Sequence, residues 1–224
     1  MALRILLTGA SGMVGEGVLL ALLERPEVQS VTYLGRRTSG HRHPKLTEVL
    51  TPDLAQLNDV RDRLQGFDAC FFCAGISSIG MSEADFTRST YDLTLSVAHT
   101  LLGLNPHLVF TYVSGAGTDS SENGRLMWAR VKGRTENALS ALPFRGVYHF
   151  RPGFMKTVPG QIHANRYYKY FRWLYPVLMR LAPNTVCTLD EVARAMLQCV
   201  AAGYPKRILE VKDIRQAARA EENW

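Results

Sequence analysis

Leu3-Arg4-Ile5-Leu6-Leu7, continuing as Thr8-Gly9-Ala10-Ser11-Gly12-Met13-Val14-Gly15, decides the fold. A short, nearly continuous apolar run suits a strand covered on both faces within a parallel sheet. Beyond the glycine-rich turn, apolar residues return at helical spacing from Met13 to Leu23, until Glu24-Arg25-Pro26 stops them. The first unit is therefore strand, glycine turn, helix. Gly9 allows the tight turn, Gly12 lets a pyrophosphate approach the backbone, and Gly15 lets the helix pack closely on the strand. The helix start then aims unpaired N–H groups and a partial positive charge at the phosphates. Gly9, Ser11, Gly12, Met13, Val14 and Gly15 are thus expected to hold the diphosphate of a dinucleotide. The missing Gly-Lys-Ser/Thr ending excludes a kinase-type phosphate loop.

The same alternation continues outward. Strands are expected at Ser30 to Leu34, near Thr47 to Leu50, and at Ala69 to Cys73, Leu108 to Val113 and Val147 to Arg151. Between them the spacing predicts a polar helix from Ala55 to Leu64, a long helix from Glu83 to Leu102, and another from Arg125 to Leu139. Strands alternating with helices imply an α/β, doubly wound parallel sheet of the Rossmann type, with right-handed crossovers. After Pro152-Gly153 the pattern changes to the aromatic, basic stretch YYKYFRWLYPVLMRLAP. A helix from Leu189 to Ala201, a strand from Arg207 to Val211 and a short terminal helix follow. With no linker, repeat or low-complexity tract, residues 1–224 read as one domain.

Composition narrows the partners. Of 224 residues, 46% are hydrophobic and 21% charged, a balance that excludes a disordered chain, collagen and a small disulfide-stapled scaffold. The formal charge of +6 comes from scattered basic residues, which suits an anionic small ligand but offers no concentrated face for nucleic acid. Cys70 and Cys73 lie three apart on an expected strand and point to opposite faces, so they do not clamp a metal, and no metal site is expected. Cys187 and Cys199 read as structural. No apolar segment of membrane-spanning length is present, and the short apolar start does not read as a signal peptide, so the expected address is the cytoplasm.

Cofactor choice turns on the end of the second strand, Tyr33-Leu34-Gly35-Arg36-Arg37. An acidic side chain here accepts hydrogen bonds from the ribose hydroxyls of NAD. Two guanidiniums instead pair with a ribose phosphate, which favours NADP(H) over NAD. Asp53 and Leu54 are placed to border the adenine. Cys73, Ala74 and Gly75, ending the fourth strand with little bulk, leave room for the cofactor ribose and phosphates.

TGASGMVG at the start, CAG after the fourth strand, YVSGAG after the fifth, an aromatic-xxx-Lys helix and RPGF after the sixth together resemble the short-chain dehydrogenase/reductase superfamily. Within it the chain is most similar to the extended and atypical epimerase-like branch, in particular the Tat-interacting oxidoreductase-like group. The resemblance implies a catalytic Ser114 that hydrogen-bonds the substrate oxygen. It also implies a Tyr-xxx-Lys helix whose tyrosine is the acid/base and whose Lys132 holds the nicotinamide ribose. Pro152, Gly153 and Phe154 would run along the nicotinamide side, and residues about 154–206 would form a small C-terminal substrate lobe.

The tyrosine position is occupied by Trp128. Trp128 and Lys132 still share a helix face, but an indole N–H donates a hydrogen bond without a proton-transfer equilibrium near neutral pH. Losing a positioned acid/base group removes on the order of 10²- to 10⁴-fold in rate. Three readings stay open: cofactor binding with little turnover; proton supply by Tyr112, Tyr91 or a tyrosine of residues 167–175; or proton supply from water. The function is thus either an NADP(H)-dependent oxidoreductase or epimerase-like enzyme, or a non-catalytic cofactor sensor. The segment from Tyr167 to Leu181 fits a lobe helix over the cleft, a peripheral membrane or protein-partner surface, or a homodimer contact.

Overall fold

The computed structural model describes residues 2–163 and 174–220. The expected first unit is present: β1 (Leu3–Thr8) leads through the glycine turn into α1 (Met13–Leu23). Then come β2 (Val28–Gly35), β3 (Leu46–Leu50), β4 (Ala69–Phe72), a short helix α2 (Glu83–Thr87), and α3 (Leu93–Leu104). They are followed by β5 (Val109–Val113), α4 (Met127–Ser140), β6 (Gly146–Arg151), β7 (Phe154–Lys156), α5 (Leu174–Leu181) and β8 (Val186–Thr188). α6 (Leu189–Ala201), β9 (Ile208–Glu210) and α7 (Val211–Ala220) complete the described chain.

Seven strands form one parallel sheet in the order β3-β2-β1-β4-β5-β6-β9. The chain starts in the middle and winds outward first one way, then the other, which opens a crevice between the carboxyl ends of β1 and β4. Both faces of the sheet are covered. Ile5, Leu7, Ala69 and Phe71 pack with α1, α6 and α7 on one side. Leu6, Cys70 and Phe72 pack with α3 and Leu139 of α4 on the other. Alternating side chains of unbroken apolar strands thus supply two cores, the arrangement that such strands require. Cys70 and Cys73 accordingly face opposite cores.

Two expected helices differ from the reading of the sequence. The polar helix expected from Ala55 to Leu64 is a 3₁₀ segment, Asn58–Arg63. Only Val60 of this segment is buried, while its polar residues Asn58, Asp59, Arg61, Asp62 and Arg63 are not, so it offers no continuous apolar stripe to hold an α-helix on the core. The helix expected to run unbroken from Glu83 to Leu102 is interrupted by a π turn at Arg88–Asp92. Ser89, Thr90 and Asp92 are weak helix formers, and Thr94 Oγ1 donates to the Thr90 carbonyl at 2.5 Å, adding a side-chain competitor to the backbone ladder.

β7 and β8 form a separate two-stranded parallel sheet beyond the end of β6. Gly153 makes this possible, because a Cβ there would fall 2.2 Å from the Thr185 carbonyl oxygen. Of the aromatic, basic segment, residues 167–173 lie outside the described residues, and 174–181 are helical. Among the described residues no helix is long and apolar enough to cross a membrane.

Candidate functional site

The carboxyl ends of β1, β2, β4, β5 and β6 open onto one cavity of about 1000 Å³. Its phosphate end is the turn between β1 and α1. Gly9 adopts a φ of +80°, and a Cβ there would fall 2.5 Å from the Cys73 carbonyl oxygen. At Gly15 a Cβ would sit 2.3 Å from the Gly9 oxygen, so these two glycines are demanded by the protein's own packing. Gly12 is different. It is exposed at a φ of −129°, and an added Cβ would come no closer than 3.4 Å to the rest of the chain. The space above Gly12 therefore opens onto the cavity, unlike that at Gly9 and Gly15, which the protein itself fills. The first helical bond runs from Glu16 N–H to the Gly12 carbonyl at 2.9 Å. The N–H groups of Met13, Val14 and Gly15 thus have no acceptor in the helix, which is an anion site in the making.

At the adenosine end, Gly35, Arg36, Arg37, Asp53 and Leu54 line the cavity. Arg36 and Arg37 are exposed, and among the described residues neither guanidinium has a hydrogen-bond or ion-pair partner. The following loop is held firmly. Glu48 accepts from the Ser39 N–H at 2.8 Å and from its hydroxyl at 2.5 Å. Burial alone would raise the Glu48 pKa, but these bonds, with further help from Thr38 and His41, hold its carboxyl below the ordinary value. Cys73, Ala74 and Gly75 form the floor between the two ends, and Ala74 N–H donates to Thr8 Oγ1 at 3.2 Å, joining β4 to β1.

The reaction end is built by β5, β6 and α4. Ser114, only 5% exposed, and Lys132 both line the cavity. Ser114 Oγ donates to Glu136 Oε1 at 2.5 Å and lies 3.2 Å from the Phe150 carbonyl oxygen. Both neighbours are acceptors, so the single hydroxyl hydrogen points into the protein whichever it chooses. Lys132 Nζ donates to the Ser114 carbonyl. Burial lowers the Lys132 pKa, and the charge of Glu136 restores part of it. Glu136, 1% exposed, is clamped by Arg151 through Nε at 3.0 Å and Nη2 at 2.5 Å. Positions 128, 132 and 136 share one face of α4, and that face carries the apparatus.

Trp128 does not line the cavity. Its indole rests against the 115–118 loop, with Cη2 3.5 Å from where a Gly117 Cβ would stand. Nor do the other tyrosines considered take its place. Tyr112 is 1% exposed, packs against Phe72 and edge-on to His149, and is pushed well above its ordinary pKa by burial and by the charge of Glu136. Tyr91 lies beneath the Arg134 guanidinium at 4.3 Å, away from the cavity. Tyr167, Tyr168 and Tyr170 lie outside the described residues, and Tyr175 meets Lys156.

Of the residues expected from sequence, Gly9, Ser11, Gly12, Met13, Val14, Arg36, Arg37, Asp53, Leu54, Cys73, Ala74, Gly75, Ser114, Lys132 and Pro152 face one cavity. Gly15 lies buried beneath the turn, and Gly153 and Phe154 turn to the small sheet, with Met155 lining the cavity instead. Sequence reasoning missed Arg88, Ser89 and Asp92, which the π turn places on the cavity wall. It also missed Glu136, which a face-by-face reading of α4 would have found four residues beyond Lys132.

Comparison with known proteins agrees with this geometry. The model of the family described as "NAD dependent epimerase/dehydratase family" matches residues 5–123, just over half of the chain. Among solved structures, glucuronic acid dehydrogenase from Chromohalobacter salexigens superposes with a TM-score of 0.66 at 17% identity, covering 93% of this chain and 76% of that one. The Bordetella bronchiseptica enzyme WbmF in complex with NAD+ gives 0.64 at 15% identity, covering 99% and 79%. Both share the fold, and the Rossmann-type sheet and the extended short-chain dehydrogenase likeness expected from sequence are borne out.

A curated relative, "Protein fmp52, mitochondrial" of Emericella nidulans, is 27% identical over 173 residues, covering 73% of this chain and 70% of its own. "Protein FMP52, mitochondrial" of Meyerozyma guilliermondii is 23% identical over 154 residues, covering 68% and 65%. These names correct the cytoplasmic expectation: it rested on the lack of a membrane-spanning segment and of a secretory signal pattern, neither of which excludes an organelle. With a matching model over more than half its length and the fold of those enzymes, the chain belongs to the NAD dependent epimerase/dehydratase family.

Proposed function

We propose that this protein binds NADP(H) in the cleft and acts as a cofactor-responsive binding protein, not as a reductase of the tyrosine-serine type. The reaction end carries the proposal: the indole at position 128 lies off the cavity, and the Ser114 hydrogen is directed inward at Glu136 or Phe150. A substrate carbonyl would find neither a phenol nor a hydroxyl donor there. The choice of NADP(H) is supported by Arg36 and Arg37, two cations without partners among the described residues, over a cavity whose second strand ends in no carboxylate. Gly12 and the uncommitted N–H groups of Met13 and Val14 fit a diphosphate. When bound, such a cofactor supplies or accepts hydride; Lys132 and Pro152 would border its nicotinamide end.

One observation favours a second reading, an oxidoreductase with another proton donor. Lys132 reaches the cavity with a pKa lowered by burial, which makes its ammonium a better acid than an exposed lysine.

Calorimetry with NADPH and NADH, followed by a panel of aldehydes and ketones monitored by nicotinamide absorbance, separates the two. The binding-protein reading expects tight NADPH binding and no turnover. Turnover that Ser114→Ala spares and Lys132→Met abolishes supports the second reading instead. Turnover abolished by Ser114→Ala refutes the claim that this serine is withdrawn from chemistry.

A further inference from the structure

α1 reads MVGEGVLLALL, with one charge in an otherwise apolar helix. That residue, Glu16, is 0% exposed and does not touch the cavity, yet it sits one turn below the phosphate site. A bare carboxylate there would oppose an anion bound at the helix start. Instead it is surrounded by donors. Glu16 Oε1 lies 2.8 Å from His41 Nε2 and accepts the Ile162 N–H at 2.6 Å. Its other oxygen, Oε2, accepts the His163 N–H at 2.7 Å.

These donors come from two segments outside the sheet, of which the loop after β2 is also tied to β3 where Ser39 donates to Glu48. His41 belongs to the loop that begins with Arg36 and Arg37. Ile162 and His163 belong to the strap of residues 158–163 that leads out of β7. The two segments also hold each other: His163 Nε2 lies 2.9 Å from the Ser39 carbonyl oxygen, and the Ile162 side chain occupies the space a Gly40 Cβ would take. Gln161 Nε2 donates to the Met13 carbonyl at 2.7 Å, joining the strap to the first turn of α1. One buried carboxylate thus gathers the phosphate helix, the arginine loop and the strap.

We propose that Glu16 is a positioning residue for cofactor specificity: it fixes the loop bearing Arg36 and Arg37 against the phosphate helix, so that preference for a phosphorylated adenosine ribose depends on a side chain that never meets the nucleotide. The proposal rests on the NADP(H) reading above. It follows from preorganisation, since a loop held in place binds its ligand without first being ordered. It also separates the two cofactors. The diphosphate site is made by the main chain of the helix itself and serves both, whereas the guanidiniums serve only the one with the extra phosphate.

Calorimetric Kd values for NADPH and NADH, on the full chain, test this in wild type, Glu16→Gln, His41→Ala, His41→Gln and the Arg36→Ala/Arg37→Ala double variant. Thermal melts of each establish folding. Glu16→Gln is expected to weaken NADPH by about tenfold and NADH by no more than about twofold. His41→Ala removes only the loop's tie and is expected to lower the NADPH:NADH preference about threefold, with His41→Gln, which keeps a donor, restoring it. Should Glu16→Gln fail to fold, the His41 pair carries the test unaided. A preference unchanged in the Glu16 and His41 variants, yet lost with the two arginines, overturns the role of Glu16 alone. A wild type without preference overturns the cofactor reading and this proposal with it.

Discussion

The two ends of the cleft use hydrogen-bonding capacity in opposite ways. At the phosphate and adenosine end, main-chain N–H groups of residues 13–15 and two guanidiniums are left without partners among the described residues. At the reaction end, the groups beside the cavity are already engaged with the protein: Ser114 donates inward to Glu136 or Phe150, Lys132 to the Ser114 carbonyl, and Arg151 to Glu136. The first end is shaped to receive a ligand, whereas the second satisfies itself. A fold shared with dehydrogenases thus joins two ends with opposite hydrogen-bonding character, on which the proposed binding role rests.

The largest expected effect tests whether the reaction end is truly self-satisfied. Glu136→Ala removes the main partner of a guanidinium that is 10% exposed, leaving it only Ser120 at 2.6 Å and Glu210 at 3.3 Å, and should destabilise the protein by about 3–5 kcal/mol in chemical denaturation. A cost under about 1 kcal/mol would mean that solvent already reaches the pair, and the contrast between the ends would weaken.

Glycine substitutions sharpen the other side. Gly15→Ala drives a methyl onto the Gly9 carbonyl and should cost about 2–3 kcal/mol of stability. Gly12→Ala should melt close to wild type while weakening NADPH by about tenfold, because its methyl projects only where the ligand belongs. If Gly12→Ala bound NADPH normally, the open space above the turn would have no bearing on phosphate.

A smaller effect is a pH dependence from behind the reaction end. His149 is 1% exposed, and burial chiefly, with the nearby arginines, lowers its pKa to about 4. Its folded value lies below its unfolded value of about 6.5, so the unfolded chain takes up the proton first. Stability is then full above pH 6.5 and falls by about 1 kcal/mol per unit as the pH drops toward 4. Denaturation midpoints across that window should fall less steeply in His149→Gln. An equal slope would show that the region behind Ser114 is not dry.

Most of the sheet was legible because its cause is local. Apolar runs buried on both faces announce β1, β4 and β5, and the glycine spacing announces the turn. α1 and α6 begin and end where their apolar periodicity does. What stayed hidden depends on pairs distant in sequence. Glu16 meets residues 41, 162 and 163, Glu136 meets Arg151, and Gly153 meets Thr185. No periodicity encodes such meetings, although a lone carboxylate in an apolar helix is a mark that a partner must exist. The arginine pair was visible as residues; the contacts that hold the loop after it were not.

The π turn at Arg88–Asp92 carries a consequence for how this cleft varies. A π turn closes a ring one residue longer than an α turn, so the chain before it is out of phase with α3 by one position. Deleting a single residue from the turn would restore a plain α-helix and swing everything upstream, Glu83 and its contact with Arg130 included, by about 100° around the axis. The wall beside Ser89 and Asp92 is thus set by a length difference of one codon, a coarser lever than any side-chain exchange and one that leaves the sheet untouched.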